Sequence, residues 1–267
     1  MIAAPRWPSQ RQRPRPSGAS TSTVLMVLAV IAVVLSTPAR SQVSVEPRVV
    51  PFKVGEQLSY QVRYGKIPIG RASMSVLGIE DVRGHPTYHV RFRIDGGLPG
   101  LQVHDRYESW LDTATLASRR HVQEIREVGY RRSTRYEIYP EERQYRENDE
   151  DSLKTSVSAP LDEGSFVYFM RTIRVPVGQT REFDQYFKPD RNPVIIRALR
   201  RDTVEVPSGR YPTVVVRPTI RARGIFAEDG EAELWFSDDV HHMLVQLKTK
   251  FAGFSLSLVL TDFKPGT

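Results

Sequence analysis

From residue 57 onward, apolar side chains recur at every second position, in one run after another. Leu58, Tyr60, Val62 and Tyr64 share one face of the segment 57–64, with Ser59, Gln61 and Arg63 on the other. Tyr88, Val90, Phe92 and Ile94 alternate with His89, Arg91 and Arg93 in the same way. A period of two belongs to a strand with one side buried and one side wet, and a helix cannot satisfy it. The segment 70–79 starts in this phase with Ala72, Met74 and Val76, then slips to Leu77 and Ile79. One inserted residue, a β-bulge, explains such a slip. Further strands are predicted over 103–111, 118–128, 130–139, 181–187, 194–206 and 214–220. More follow around Ala232, Leu234 and Phe236, around Met243, Val245 and Leu247, and along Phe254, Leu256, Leu258 and Leu260. Gly129 fits a tight hairpin between two of them. The charged stretch 141–151 reads as a solvated loop.

One segment breaks the pattern. Phe166, Phe169, Met170 and Ile173 stand at i, i+3, i+4 and i+7, a stripe down one face of a helix. Asp162 is placed to cap it, and 175–178, Val-Pro-Val-Gly, ends it. Ten to twelve strands and one central amphipathic helix predict an all-β fold, mainly antiparallel because the connections are short. Two curved sheets, or one open barrel wrapped around the helix, both satisfy the pattern.

The N-terminus is of another kind. Arg6, Arg11, Arg13, Arg15 and Arg40 occur there without an acid, around the apolar run 24–35. Small residues follow, so residues 1–41 read as a signal peptide cleaved after Ala39 or Ser41. The run of 12 residues is shorter than the ~20 of a membrane span. Residues 42–53 form a lead-in, and 54–264 a single β-rich domain. The net charge of +7 belongs mostly to the leader: beyond residue 41 there are 33 basic residues against 31 acidic, or +2. A near-neutral chain gives no reason to expect nucleic acid as a partner. The absence of cysteine removes disulfides, a lipidated cysteine, thiolate metal sites and a thiol nucleophile. The expected place is outside the cytoplasm, periplasmic or extracellular, soluble, with no transmembrane segment in the mature chain.

Three segments resemble a bacterial family of exported proteins known as domain of unknown function 3108. They are 54–60, Val-Gly-Glu-Gln-Leu-Ser-Tyr, running on to 69–72, Ile-Gly-Arg-Ala; the aromatic helix 161–171, ending in Arg171; and 234–239, Leu-Trp-Phe-Ser-Asp-Asp. The resemblance spans about 54–263. It departs from the family after Asp239, where His241, His242 and Met243 stand in place of an Arg followed by Pro. It implies an all-β envelope protein and supplies no catalytic residues.

Candidate chemistry is sparse. His85 and His89 are four apart but fall on a turn and a strand, so no metal site is expected there. His241 and His242 are adjacent and read as turn polarity. No Gly-x-Ser-x-Gly, Ser-x-x-Lys or His-Glu-x-x-His pattern occurs. Asp105, Glu108, Asp238 and Asp239 are the candidates for a carboxylate pair. Arg119, Arg120, Arg126, Arg131, Arg132, Arg135, Arg143 and Arg146 are interleaved with Glu124, Glu127, Glu137, Glu141, Glu142 and Glu147, the pattern of a mutually paired outer face. Tyr60, Tyr64, Tyr88, Phe92, Phe166, Phe169, Phe254 and either Trp235 or Phe236 could line the interior of a curved sheet as an apolar groove. The leading expectation is a non-enzymatic exported protein that binds an apolar or amphipathic envelope component through Tyr60, Tyr64, Tyr88, Phe92, Phe166, Phe169 and Trp235. No cofactor is expected, and the partner would be a lipid or an envelope protein. A structural or protein-interaction module and a carbohydrate hydrolase using paired carboxylates remain as alternatives.

Overall fold

The computed structural model describes residues 49–98, 100–220, 232–251 and 254–267. The leader 1–41, its cleavage sites and the start of the lead-in lie outside the described residues. Ser44–Thr267 form one compact unit that holds every core residue named below.

Strands β1 (Gln57–Tyr64), β2 (Ile67–Val82), β3 (His85–Leu98), β4 (Leu101–Asp112), β5 (Ser118–Glu127), β6 (Tyr130–Tyr139), β7 (Gln144–Glu147) and β8 (Lys154–Thr155) form one meander. Helix α1 (Glu163–Thr172) follows. A second meander runs through β9 (Thr180–Phe183), β10 (Val194–Val206), β11 (Gly209–Thr219), β12 (Glu233–Ser237), β13 (Leu244–Phe251) and β14 (Phe254–Lys264). Antiparallel pairing of β1 with β14, from Gln57–Lys264 to Tyr64–Leu256, fuses the two into a 14-stranded sheet among the described residues. The first and last strands therefore lie side by side at its centre. Its two edges, β8 and β9, flank α1 in sequence.

The expected slip after Val76 is a register shift between Val76 and Gly78 in the β2–β3 ladder. Gly129 turns the β5–β6 hairpin with φ 71°. The stretch 141–151 differs from the solvated loop expected of it, because Gln144–Glu147 pairs with β6 as β7. Tyr145 supplies its single buried apolar side chain, packed edge-on to Phe187 at 5.1 Å, and one such residue leaves no alternation to read.

The sheet curls around α1. Asp162 caps the helix as expected: its side chain accepts from the N–H groups of Gly164 and Ser165, and the Ser165 hydroxyl accepts from the Asp162 N–H. Phe166, Tyr168, Phe169 and Met170 are buried. Phe169 meets Phe183 of β9 edge-on at 5.5 Å, while Tyr168 meets Phe52 at 5.1 Å, which in turn packs on Tyr88 of β3. The helix thus touches both meanders. The open side near its N-terminus is bridged by chain: Leu161 N–H donates to Gln185 O, Phe187 N–H to Leu161 O, and the Ser156 hydroxyl to Phe187 O. A Cβ on Gly164 would sit 2.5 Å from Ser109 Oγ. Gly164→Ala is therefore expected to cost about 1–3 kcal/mol through overpacking, read by urea unfolding. A cost near zero would mean that the helix does not seat this closely on β4.

The outer face of the first meander is an ion-pair ladder, the expected arrangement. Arg91 pairs with Glu108 at 2.6 Å, Arg106 with Glu124 at 2.5 Å, and Arg120 and Arg135 both with Glu137. Arg119 joins Asp112 to Glu141. The exposed pairs of this kind contribute little individually. Among the described residues Arg131, Arg143 and Arg146 make no ion pair, and Arg126 makes one at 3.8 Å, so the expected pairing holds for part of the face.

Candidate functional site

The aromatic residues expected in a groove fall into three groups. Tyr60 and Tyr88 of the sheet and Phe166 and Phe169 of the helix are buried together in the core within the curl. The Tyr60 hydroxyl donates to Leu244 O at 2.9 Å. Tyr64 and Phe92 are half-buried. Trp235 lies on the other face of β12 from Leu234 and Phe236. There Arg200 and Lys248 lie over its ring and its indole N–H donates to Asp202 at 3.0 Å. Phe236 is the β12 aromatic that faces the helix side. The side chain of Phe254 is outside what is described. The interior in this conformation is a packed core.

Two buried polar clamps hold the helix inside. At its C-terminal end, Arg171 has no exposed side-chain surface and makes a bidentate pair with Glu56 at 2.5 and 3.0 Å. It also donates to Pro51 O and His241 O, while His242 Nδ1–H donates to Arg171 O at 3.0 Å. Asp239 accepts from the N–H groups of His241 and His242 and so shapes the turn they occupy. Two of the segments that carry the family resemblance, around Glu56 and Arg171, therefore meet at one guanidinium, and the turn shaped by Asp239 at the end of the third brings His241 O to it. Sequence reading alone misses that Glu56 and Arg171 are partners, because 115 residues separate them.

At the N-terminal end, fully buried His121 of β5 lies between Asp162 (3.3 Å) and Glu163 (3.2 Å). Its Nδ1 is also 3.0 Å from Glu108 O and 3.2 Å from Ser109 Oγ, and the Ser109 hydroxyl donates to Asp162 at 2.6 Å. Serine, histidine and carboxylate adjoin here as in a nucleophilic triad, yet Ser109, His121 and Asp162 are wholly buried, so no substrate reaches the hydroxyl. The cluster anchors the helix.

The other candidate acids are also engaged. His89 and Arg91 hold Glu108 at about 2 against burial, so it stays ionised and cannot serve as a general acid. Burial raises Asp105, which accepts from the Arg126 N–H. Asp238 pairs with Arg201 at 3.3 Å. His89 stacks on Trp110 at 4.2 Å, beside Glu80 and Glu108. Among the described residues no group of three or more His, Asp or Glu is placed to hold a metal ion.

Three clefts stand out on the described surface. One of about 770 Å³ lies at the β5–β6 hairpin tip, and one of about 580 Å³ on the outer side of β1 and β2; both are broad and bordered by apolar and polar groups together. The third, about 250 Å³, lies between the C-terminal end of α1 and β11–β12. Met170, Ile173, Val175, Val214, Val216 and Phe236 form its apolar lining. Arg174, Arg201, Asp238 and His242 stand at the same cleft. Burial pushes His242 down to about 4, leaving it neutral near pH 7. The charged groups are then two guanidiniums against one carboxylate. This cleft lies against the helix end and combines apolar side chains with converging charge, the usual make-up of a ligand site.

The family model "Protein of unknown function (DUF3108)" matches residues 59–259, and the chain belongs to that family. No curated protein matches the chain. A solved structure from Brucella abortus, described as a beta-barrel-like protein of domain of unknown function DUF1849, matches with TM-score 0.52 and 10% identity over 82% of this chain and 100% of that one. This supports a shared open, curled antiparallel fold. An exported protein from Bacteroides fragilis, provisionally described as such and as having a YmcC-like fold, matches at TM-score 0.31 and 12% identity over 82% and 99% of the two chains. That likeness is too low to argue from.

Proposed function

We propose that this chain is an exported, non-enzymatic binding protein of the cell envelope, and that it takes an amphipathic ligand, an apolar group bearing an anionic head, in the cleft at the C-terminal end of α1. The observation that carries this reading is the apolar floor formed by Met170, Val214, Val216 and Phe236 with Arg174 and Arg201 at its mouth. The basic leader with its apolar run 24–35 supports export. Among the described residues no helix is long and apolar enough to cross a membrane. At about 250 Å³ the cleft is slightly below the ~300 Å³ at which small-molecule pockets begin. It has room for the end of an acyl chain, with the carboxylate or phosphate left at the arginines. Withdrawal of the helix beside it, which carries Phe166 and Phe169, would extend the cleft toward Tyr60 and Tyr88, two of the residues read from sequence as a groove.

A protein-interaction module that pairs through exposed strand edges, the alternative reading, finds short edges here, two residues in β8 and four in β9. Such edges offer little ladder to a partner strand. Native mass spectrometry of residues 44–267 with dodecanoate tests the reading. Wild type is expected to carry the added mass, and Val214→Trp, which fills the cleft, to weaken binding about tenfold, the loss of roughly 1.4 kcal/mol. A clean apo mass for wild type, or equal uptake by the variant, would sink the proposal.

A further inference from the structure

Strand direction alternates along an up-and-down sheet, so every second turn falls at the same end. Four hairpins close at the end away from the Arg171 clamp, after the pairs Tyr64–Ile67, Leu98–Leu101, Glu127–Tyr130 and Phe251–Phe254. Two of these tips present large apolar side chains to solvent: Ile67 is 59% exposed, Val128 57% and Tyr130 47%. Exposed cations flank them. Lys66 precedes Ile67, and Arg126 and Arg131 bracket Val128 and Tyr130, with Glu127 as the single acid in these two tips. Arg126 makes one loose pair with Glu124 at 3.8 Å, and no ion pair involves Lys66 or Arg131 among the described residues. The broad cleft of about 770 Å³ separates the β5–β6 tip from Gln102 and His104 of β4.

We infer that this end of the sheet docks on an anionic lipid bilayer. Isolated exposed apolar residues are ordinary on a soluble protein. Here they sit on hairpin tips at one end, each beside unneutralised cations. Apolar tips that enter the headgroup region while neighbouring cations meet anionic lipid are the arrangement of an interfacial protein. The two apolar tips belong to hairpins separated by β3 and β4, and so do not form the continuous packed patch of a protein–protein core. The docking end and the α1 cleft lie at opposite ends, so this inference stands apart from the ligand proposal.

The test is co-sedimentation of residues 44–267 with vesicles of phosphatidylcholine alone or mixed with phosphatidylglycerol. Wild type is expected to sediment with the phosphatidylglycerol vesicles and to be released by salt. Two double variants, Val128→Asp with Tyr130→Asp and Lys66→Glu with Arg131→Glu, are each expected to weaken binding about tenfold or more. All four positions are exposed, so the thermal midpoint of each variant should stay at the wild-type value and shows that the fold is kept. Sedimentation of both variants like wild type overturns the inference. Failure of wild type to sediment with either vesicle overturns it as well.

Discussion

Exchanging Arg171 for methionine is expected to lower folding stability by about 3–5 kcal/mol, measured by urea unfolding. The guanidinium has no exposed surface, and Glu56 is almost as deeply buried. Methionine would leave the Glu56 carboxylate inside the protein without its bidentate partner, and the carbonyls of Pro51 and His241 without their donor. An unpaired buried charge is far more costly than the pair was favourable, so Glu56→Leu combined with Arg171→Met should recover much of the loss. The double variant separates the two readings of the clamp. If it is as unstable as the single one, the pair holds the helix through its geometry and not merely by mutual neutralisation. A cost below about 1 kcal/mol for the single variant would mean that the clamp does not form.

The second large effect is at His121. His121→Asn is expected to cost about 2–4 kcal/mol, because the shorter side chain cannot reach both Asp162 and Glu163 and leaves their buried oxygens short of a donor. The cost should depend on pH. Burial alone would push the His121 imidazole down, but Asp162 first and then Glu163 outweigh it, and its value in the folded protein is raised. The stability supplied by charged His121 is therefore full below its unfolded value of about 6.5 and fades as pH rises through the raised folded value. Burial likewise works to raise Glu163, yet hydrogen bonding from His121 and then Tyr186 brings it down to about 2. The Glu163 contribution is present above the unfolded value near 4.5 and lost as pH falls toward 2. The advantage of wild type over the variant should peak between about pH 4.5 and 6.5 and shrink by pH 9. His242, held at about 4 by burial, costs stability as pH falls below ~6.5, but it does so in both proteins and cancels from the difference. An equal difference at pH 5.5 and pH 9 would show that His121 is neutral in its site.

Local periodicity made much of the fold readable. The alternation at Leu58, Tyr60 and Val62 and the slip after Val76 are each the signature of a strand or bulge, recorded within a few residues. The helix with its Asp162 cap was legible for the same reason. β7 was not, because Tyr145 is its single inward apolar residue. Trp235 shows the limit of residue type as a guide to a site. Its neighbours Leu234 and Phe236 turn with Ala232 to the inner face, the row that alternation marks, and Trp235 turns to the other, where Arg200 and Lys248 cover it; aromatic character alone placed it in the groove. The cleft residues Val214, Val216 and Met170 read only as core positions in sequence. Their grouping depends on where α1 stops along β11 and β12.

By itself the sequence determined the element types, the antiparallel habit, the paired outer charges and the export signal expected at the N-terminus. Each is set by residues within a turn, a strand or a hairpin of one another. The tertiary structure alone decided that the first and last strands join at the centre of one sheet, that the helix lies inside the curl, and that Glu56 and Arg171 clamp it there. Those features bring together residues more than a hundred positions apart. Burial and charge compensation in the folded protein select such pairings, and no local pattern records them.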